Sequence, residues 1–150
     1  MMLQLVENIE KKVFLLDDNQ IDFYWPEIMR LLGEVPGYYD FFTPEWTYQK
    51  AKSHDIQVWG LSDGAIRGII ITQILCFPAQ KCFEILGAAG NGLLDFLGEM
   101  EDVFDFIAAD AGCSTMISRT RPGLEKLLRK HGAVKICSFL IRPIGKRSEH

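Results

Sequence analysis

The sequence predicts a single α+β domain spanning residues 1–150, and three stretches carry that prediction. Lys81–Gly112 reads as a strand, a glycine-rich turn and a long helix. Ile56–Leu86 reads as three strands joined by short turns, an antiparallel meander. The helix inside the first stretch is long enough for a crossover to a parallel strand, so the sheet is expected to be mixed and mostly antiparallel. At 150 residues, with 48% hydrophobic and 24% charged residues, the chain is large enough for one core.

The elements follow in order. Val13–Leu16 is the first expected strand, ended by Asp17-Asp18-Asn19, which also offers a helix cap. Ile21–Leu32 is helical in tendency, with Phe23, Ile28, Leu31 and Leu32 on one face. Pro26 is expected to mark where its regular part begins. Gly33–Phe42 is a loop rich in Gly, Pro and aromatics. Thr43-Pro44-Glu45 then starts a helix with a hydroxyl cap, a proline at the first position and an acid in the first turn. That helix runs to about Ser53.

Ile56–Leu61 is a strand, and Asp63-Gly64 favours a hairpin. Ala65–Phe77 is a β-branched strand, and Pro78–Lys81 turns the chain into Lys81–Leu86. Gly87–Gly92 is too glycine-rich to continue a strand comfortably or to sit inside a helix. From there Leu93, Phe96, Leu97, Met100, Val103, Phe104, Ile107 and Ala111 recur every three or four residues as one buried stripe, with Gly112 as the stop. Cys113–Arg119 is a further strand, Leu124–Lys130 a short helix stopped by His131-Gly132, and Val134–Ile144 a last long strand. The sheet therefore has about six strands.

Composition removes several function classes. No apolar run reaches a membrane span; Gly68–Pro78 is interrupted by Thr72 and Gln73. The N-terminus lacks the features of a signal peptide, so a cytoplasmic, soluble protein is expected. Cys76, Cys82, Cys113 and Cys137 form no C-x-x-C pair and match no zinc pattern, which leaves buried free thiols. The net charge of −4 argues against nucleic acid. Its distribution is uneven: Cys82–Ser118 holds seven acids and no Lys or Arg, whereas Arg119–His150 holds nine basic residues and two acids. The acidic helix face is expected to be solvated, the alternative being a basic partner such as another copy's C-terminal third.

A glycine turn feeding a helix N-terminus aims backbone N–H groups at one point, a geometry that suits an anion. Gly87–Gly92 either binds one or only lets the helix pack closely on the strand. Against binding stand Asp95, Glu99, Glu101 and Asp102, each opposing a phosphate by about a few tenths of a kcal/mol in salt water. Arg119, Arg121, Arg129 and Lys130 are the cations within reach along the sequence. Tyr38-Tyr39-Asp40-Phe41-Phe42 either lines a pocket, packs, or meets a partner.

The element order with its glycine turn resembles the GNAT (N-acetyltransferase) superfamily over nearly the whole chain. The family's loop reads Gln/Arg-x-x-Gly-x-Gly/Ala. Gly87-Ala88-Ala89-Gly90-Asn91-Gly92 keeps Gly90 and Gly92 but puts Gly87 where the basic or amide residue belongs. The family's Tyr-x-x-x-Gly-Phe corresponds to Leu128–Ala133, which keeps the glycine and loses both aromatics. Gly112-Cys113, Arg121–Glu125 and Lys130–Ala133 also look like a divergent GNAT-like group of tailed bacteriophages.

The resemblance implies a fold with helices on both faces of the sheet and acetyl-CoA as cosubstrate, wedged between the fourth and fifth strands. Its pyrophosphate would lie on Leu86, Gly87, Ala88, Ala89, Gly90, Asn91 and Gly92. Glu84 would be the base that takes a proton from an unidentified amine, or else an exposed carboxylate on an alternating strand. No residue is assigned as the general acid. The alternative function is a non-catalytic GNAT-like virion or accessory protein, in the host cytoplasm or the virion, using the scaffold for protein contacts or homo-oligomerisation. The lost loop cation and lost tyrosine favour it.

Overall fold

The computed structural model describes residues 11–119, 122–136, 140 and 142–145. They fall into two compact units, residues 1–118 and 119–150. The first holds a five-stranded sheet in sequence order, β1-β2-β3-β4-β5. Its strands are β1 (Lys12–Leu15), β2 (Gln57–Ser62), β3 (Ile66–Cys76), β4 (Lys81–Gly90) and β5 (Thr115–Ser118). The first four pair antiparallel and β4 pairs β5 in parallel, so the crossover expected from the sequence is present.

Alternation along the strands divides the core in two. Val58, Ile69, Ile71 and Ala89 face one side, where α1 (Asp18–Gly33), α2 (Tyr38–Phe41) and α3 (Pro44–Lys52) supply Ile21, Ile28, Leu31, Leu32, Tyr38 and Ala51. Trp59, Leu61, Ile70, Phe83 and Ile85 face the other, against α4 (Leu97–Asp110). Helices on both faces of a mostly antiparallel mixed sheet are what the sequence led us to expect.

Local chemistry explains most boundaries. Asp17 accepts the backbone N–H of Gln20 at 2.8 Å, and the Gln20 side chain accepts that of Asp17 at 2.9 Å, a reciprocal cap that starts α1. This cap overrules Pro26: the helix begins eight residues before the proline and carries it inside. The same phase corrects the predicted face, because Phe23 is 77% exposed and Ile21 is buried in its place. Thr43 caps α3 through the Trp46 N–H, with Pro44 at the first position, as expected.

The stripe on the long helix keeps the expected period, with Phe96, Met100 and Phe104 buried and Leu93, Val103 and Ile107 packed beside them, but Ala108 is buried in place of Ala111, and Leu97 and Ala111 are only partly buried. Its first turn, Leu93–Phe96, is 3₁₀ rather than α. Asp102, Asp105 and Asp110 lie on its exposed side, the solvated face anticipated. Cys82 is buried, but Cys76, at the end of β3, is exposed and corrects the expectation of buried thiols; Cys137 lies outside the described residues.

In the second unit, α5 (Pro122–Lys130) ends as its sequence suggests, with Gly132 at a positive φ of 94°. The described residues of 134–144 form no strand, which corrects the expected last strand; residues 137–139 and 141 lie outside the description.

Phe104 fills the α4 core between Trp59, at 5.1 Å between ring centroids, and Phe83, at 5.4 Å. Phe104→Ala is expected to cost about 3–5 kcal/mol in urea unfolding. Phe23→Ser is expected to change stability by less than about 0.5 kcal/mol, since its ring is in water.

Candidate functional site

β4 carries Glu84 and Leu86–Gly90 of the residues singled out from the sequence, with Asn91 and Gly92 in the turn that follows, and one irregularity shapes the strand. Ile71 of β3 opposes Gly87 and Thr72 opposes Ile85, so Leu86 is an extra residue, a β-bulge. Phe83 and Ile85 face α4; beyond the bulge Leu86 packs with the α1 side and Ala88 with the α4 side. The strand does not end at Leu86, as the glycines suggested, but runs on to Gly90.

Small residues are what let it continue. A Cβ on Gly87 would lie 3.3 Å from the Tyr38 ring. One on Gly90, at φ 132°, would lie 2.3 Å from the Arg67 carbonyl oxygen and 2.5 Å from the Gly68 Cα. The pairing of β4 with β5 covers only Cys82–Ile85 against Thr115–Ser118. Past Ile85, among the described residues, no strand pairs with β4 on that side, so backbone groups of residues 86–90 form a free edge.

Glu84 lies one residue before the end of the β4–β5 pairing and is buried, at 2% exposure, which overturns the alternative of an exposed carboxylate. It opposes Gln73 across the β3–β4 ladder, and the Gln73 side-chain amide donates to Glu84 Oε1 at 2.7 Å. Gly90–Gly92 lies at the far end of β4, roughly 20 Å along the strand. Of the loop residues, Gly87, Ala89 and Gly92 are buried, Leu86, Ala88 and Gly90 partly so, and Asn91 is exposed at the tip.

The structure adds cations that the sequence order hides. Arg67, at the start of β3, lies over Gly92: a Cβ there would be 3.3 Å from its Nη2. Arg67 Nη1 donates to Asp63 Oδ2 at 2.6 Å, and Nη2 is 4.0 Å from Asp95 Oδ2. Lys11 Nζ donates to the Asp95 carbonyl at 3.1 Å. The turn therefore carries positive groups from two other strands or their flanks. The only hint in the sequence is Arg67 interrupting a β-branched run close after the Asp-Gly turn.

Tyr38, Tyr39 and Phe42 of the aromatic loop pack into the core, while Phe41 is 56% exposed. Thr47 donates its hydroxyl to the Thr43 carbonyl, so in the 2.9 Å contact between Tyr38 and Thr47 the phenol is the donor. Tyr39 donates to the Met29 carbonyl at 2.8 Å, and Phe42 lies between Tyr38 and Trp46. Burial pushes the Tyr38 phenol up to about 12, with the Thr47 hydrogen bond acting against it. No group of three His, Cys, Asp or Glu among the described residues is arranged to hold a metal ion. No helix among them is long and apolar enough to cross a membrane.

No protein-family model matches the sequence, and no curated protein matches it. Solved structures match the fold. Glucosamine-6-phosphate N-acetyltransferase from Arabidopsis thaliana aligns with a TM-score of 0.61 and 17% identity over 90% of this chain and 99% of its own. A GCN5-related N-acetyltransferase from Ralstonia eutropha JMP134 gives 0.65 and 12% over 91% and 100%. AAC(6')-Iy, in complex with the bisubstrate analogue CoA-S-monomethyl-acetylneamine, gives 0.67 and 13% over 93% and 99%. The chain has the GNAT N-acetyltransferase fold; at these identities the likeness extends to the fold alone, and it carries nothing for the phage-encoded group.

Gly90→Ala is expected to lose on the order of 3 kcal/mol or more in urea unfolding, because the clash is with backbone and φ is positive. Gly98→Ala, in open space on α4, is expected to gain about 0.5–1 kcal/mol. Tyr38 gives a pH signature. Its folded value lies above the usual 10, so its contribution is complete below about pH 10 and is lost as pH rises through about 12. Urea midpoints across that range are expected to fall more steeply in the wild type than in Tyr38→Phe.

Proposed function

We propose that this chain is a GNAT-type N-acyltransferase that moves an acetyl group from acetyl-CoA to an amine. The observation that carries the reading is the buried carboxylate of Glu84 beside the end of the β4–β5 pairing, since β5 stops at Ser118 opposite Ile85 and leaves residues 86–90 with no described strand on that side. The free edge of residues 86–90 suits an extended amide-bearing arm, which would hydrogen-bond to it as an added strand does. Gly90, Asn91 and Gly92 would meet the pyrophosphate, with the Arg67 charge close by.

The chemistry needs an uncharged amine. Glu84 would accept the proton from the ammonium, directly or through water. The nitrogen would then attack the thioester carbonyl, the C–S bond would break, and CoA would leave as a thiolate that takes up a proton. A positioned base contributes about 10²–10⁴-fold. Tyr38, the phenol nearest the bulge, already gives its proton to Thr47, so no general acid is assigned.

A second reading, a GNAT-like scaffold kept for protein contacts as in a phage virion or accessory protein, draws on different observations. Gly87 stands where the family's loop cation belongs, and Arg67 is already paired with Asp63.

Calorimetric titration with acetyl-CoA separates the two. Gly90 is a poor probe because its substitution breaks the fold; Asn91 is exposed, so Asn91→Glu changes charge alone. The acyltransferase is expected to bind with a dissociation constant on the order of micromolar, weakened at least about tenfold in Asn91→Glu. Glu84→Gln is expected to bind normally and to lose about 10²–10⁴-fold in amine-dependent thiol release across a panel of primary amines. No binding by the wild type at millimolar acetyl-CoA would overturn the reading in favour of the scaffold.

A further inference from the structure

Thr72 and Gln73 interrupt the longest apolar run of the chain, Gly68–Pro78, and an interior strand gives no reason for two polar residues there. The structure accounts for each separately. Thr72 is fully buried on the α4 side. It accepts the Trp59 indole N–H at 2.8 Å and donates to Gln57 Oε1 at 2.9 Å, so its role is to satisfy a core tryptophan. Gln73 takes no part in that chain. It points to the opposite face, toward α1–α3, and its amide donates to Glu84 Oε1 at 2.7 Å.

We propose that Gln73 is a positioning residue for Glu84: its amide holds the carboxylate in one orientation beside the end of the β4–β5 pairing. This rests on the reading of Glu84 as the base. Three observations carry it. The two residues are direct cross-strand partners, so the backbone register sets their spacing. Glu84 is shielded from water, so the hydration that would stabilise an ionised carboxylate must be replaced by donors from the protein. A neutral amide supplies a donor without a charge. A lysine or arginine at position 73 would pair with the carboxylate and weaken it as a base, whereas leucine would leave it without this donor. The amide orientation follows from the chemistry as well, since an ionised carboxylate only accepts and Gln73 must turn its NH₂ toward it. The bulge lies just beyond, at Leu86, so the pair occupies the rung next to Thr72–Ile85, the last regular one before the ladder shifts.

Two substitutions of similar size test this. Gln73→Leu removes the donor and Gln73→Glu replaces it with an acceptor of the same shape. Both are expected to lower kcat for amine-dependent thiol release about 10- to 100-fold, with the KM for acetyl-CoA unchanged within about twofold. A packing role alone would leave the similarly sized Gln73→Leu near wild type in kcat.

A second readout needs no turnover. The Glu84 carboxyl carbon resonance, assigned by its loss in Glu84→Gln, is expected to change chemical shift at one fixed pH in Gln73→Leu relative to the wild type, because its hydrogen-bond donor is gone. An unmoved resonance would overturn the proposal even if the wild type is active. Wild-type protein that turns over no amine would sink the acyltransferase reading instead, and the resonance would still decide whether Gln73 governs the Glu84 carboxylate.

Discussion

One extra residue in β4 is the constraint on which the rest of the structure depends. An antiparallel ladder keeps its side chains alternating only while each residue has one partner. Leu86 has none in the β3 register, so the ladder shifts there. Before it, Glu84 and Gln73 face each other in regular pairing and β5 lies alongside. β5 ends at Ser118, opposite Ile85, so after the bulge the strand continues beside β3 alone among the described residues. A bulge bends its strand and raises its twist without ending the sheet. The glycines that follow serve the same constraint. Gly87 makes room for the Tyr38 ring, and Gly90 and Gly68 let two backbones approach closer than side chains allow.

Polar groups inside this sheet are placed by pairing, not left over from the surface. Thr72 joins Trp59 to Gln57, Gln73 meets Glu84, and Tyr38 meets Thr47, so each burial penalty is met by a donor or acceptor. No buried side-chain nitrogen or oxygen among the described residues lacks a partner. The glycine turn follows a similar rule with charge. Arg67 and Lys11 come from β3 and the approach to β1, and they offset the acids that follow the turn in sequence. A turn that looks wholly acidic in one dimension is electrically mixed in three.

The likeness to GNAT enzymes belongs to the backbone. Identities of 12–17% to the aligned acetyltransferases describe a shared path of the chain, and one fold can carry several activities or none. What bears on function in this chain's own residues is the buried Glu84 carboxylate and the edge of β4 past Ile85 that no described strand covers.

The sequence by itself determined what depends on neighbours along the chain. The cap at Asp17, the Thr43-Pro44 start of α3, the Asp63-Gly64 hairpin and the every-third-or-fourth stripe from Leu93 to Ala111 are local chemistry, legible in one dimension. Glu84 and the glycine run were legible as candidates for the same reason. What tertiary structure decided was everything that depends on registration between distant strands. Only pairing reveals that Leu86 is supernumerary, that Gln73 meets Glu84, that Arg67 lies over Gly92 and that Phe23 faces water while Ile21 does not. The described residues of Val134–Ile144 form no strand for a related reason: β-branched residues favour a pleated surface only when a partner strand provides one, and no partner is encoded locally.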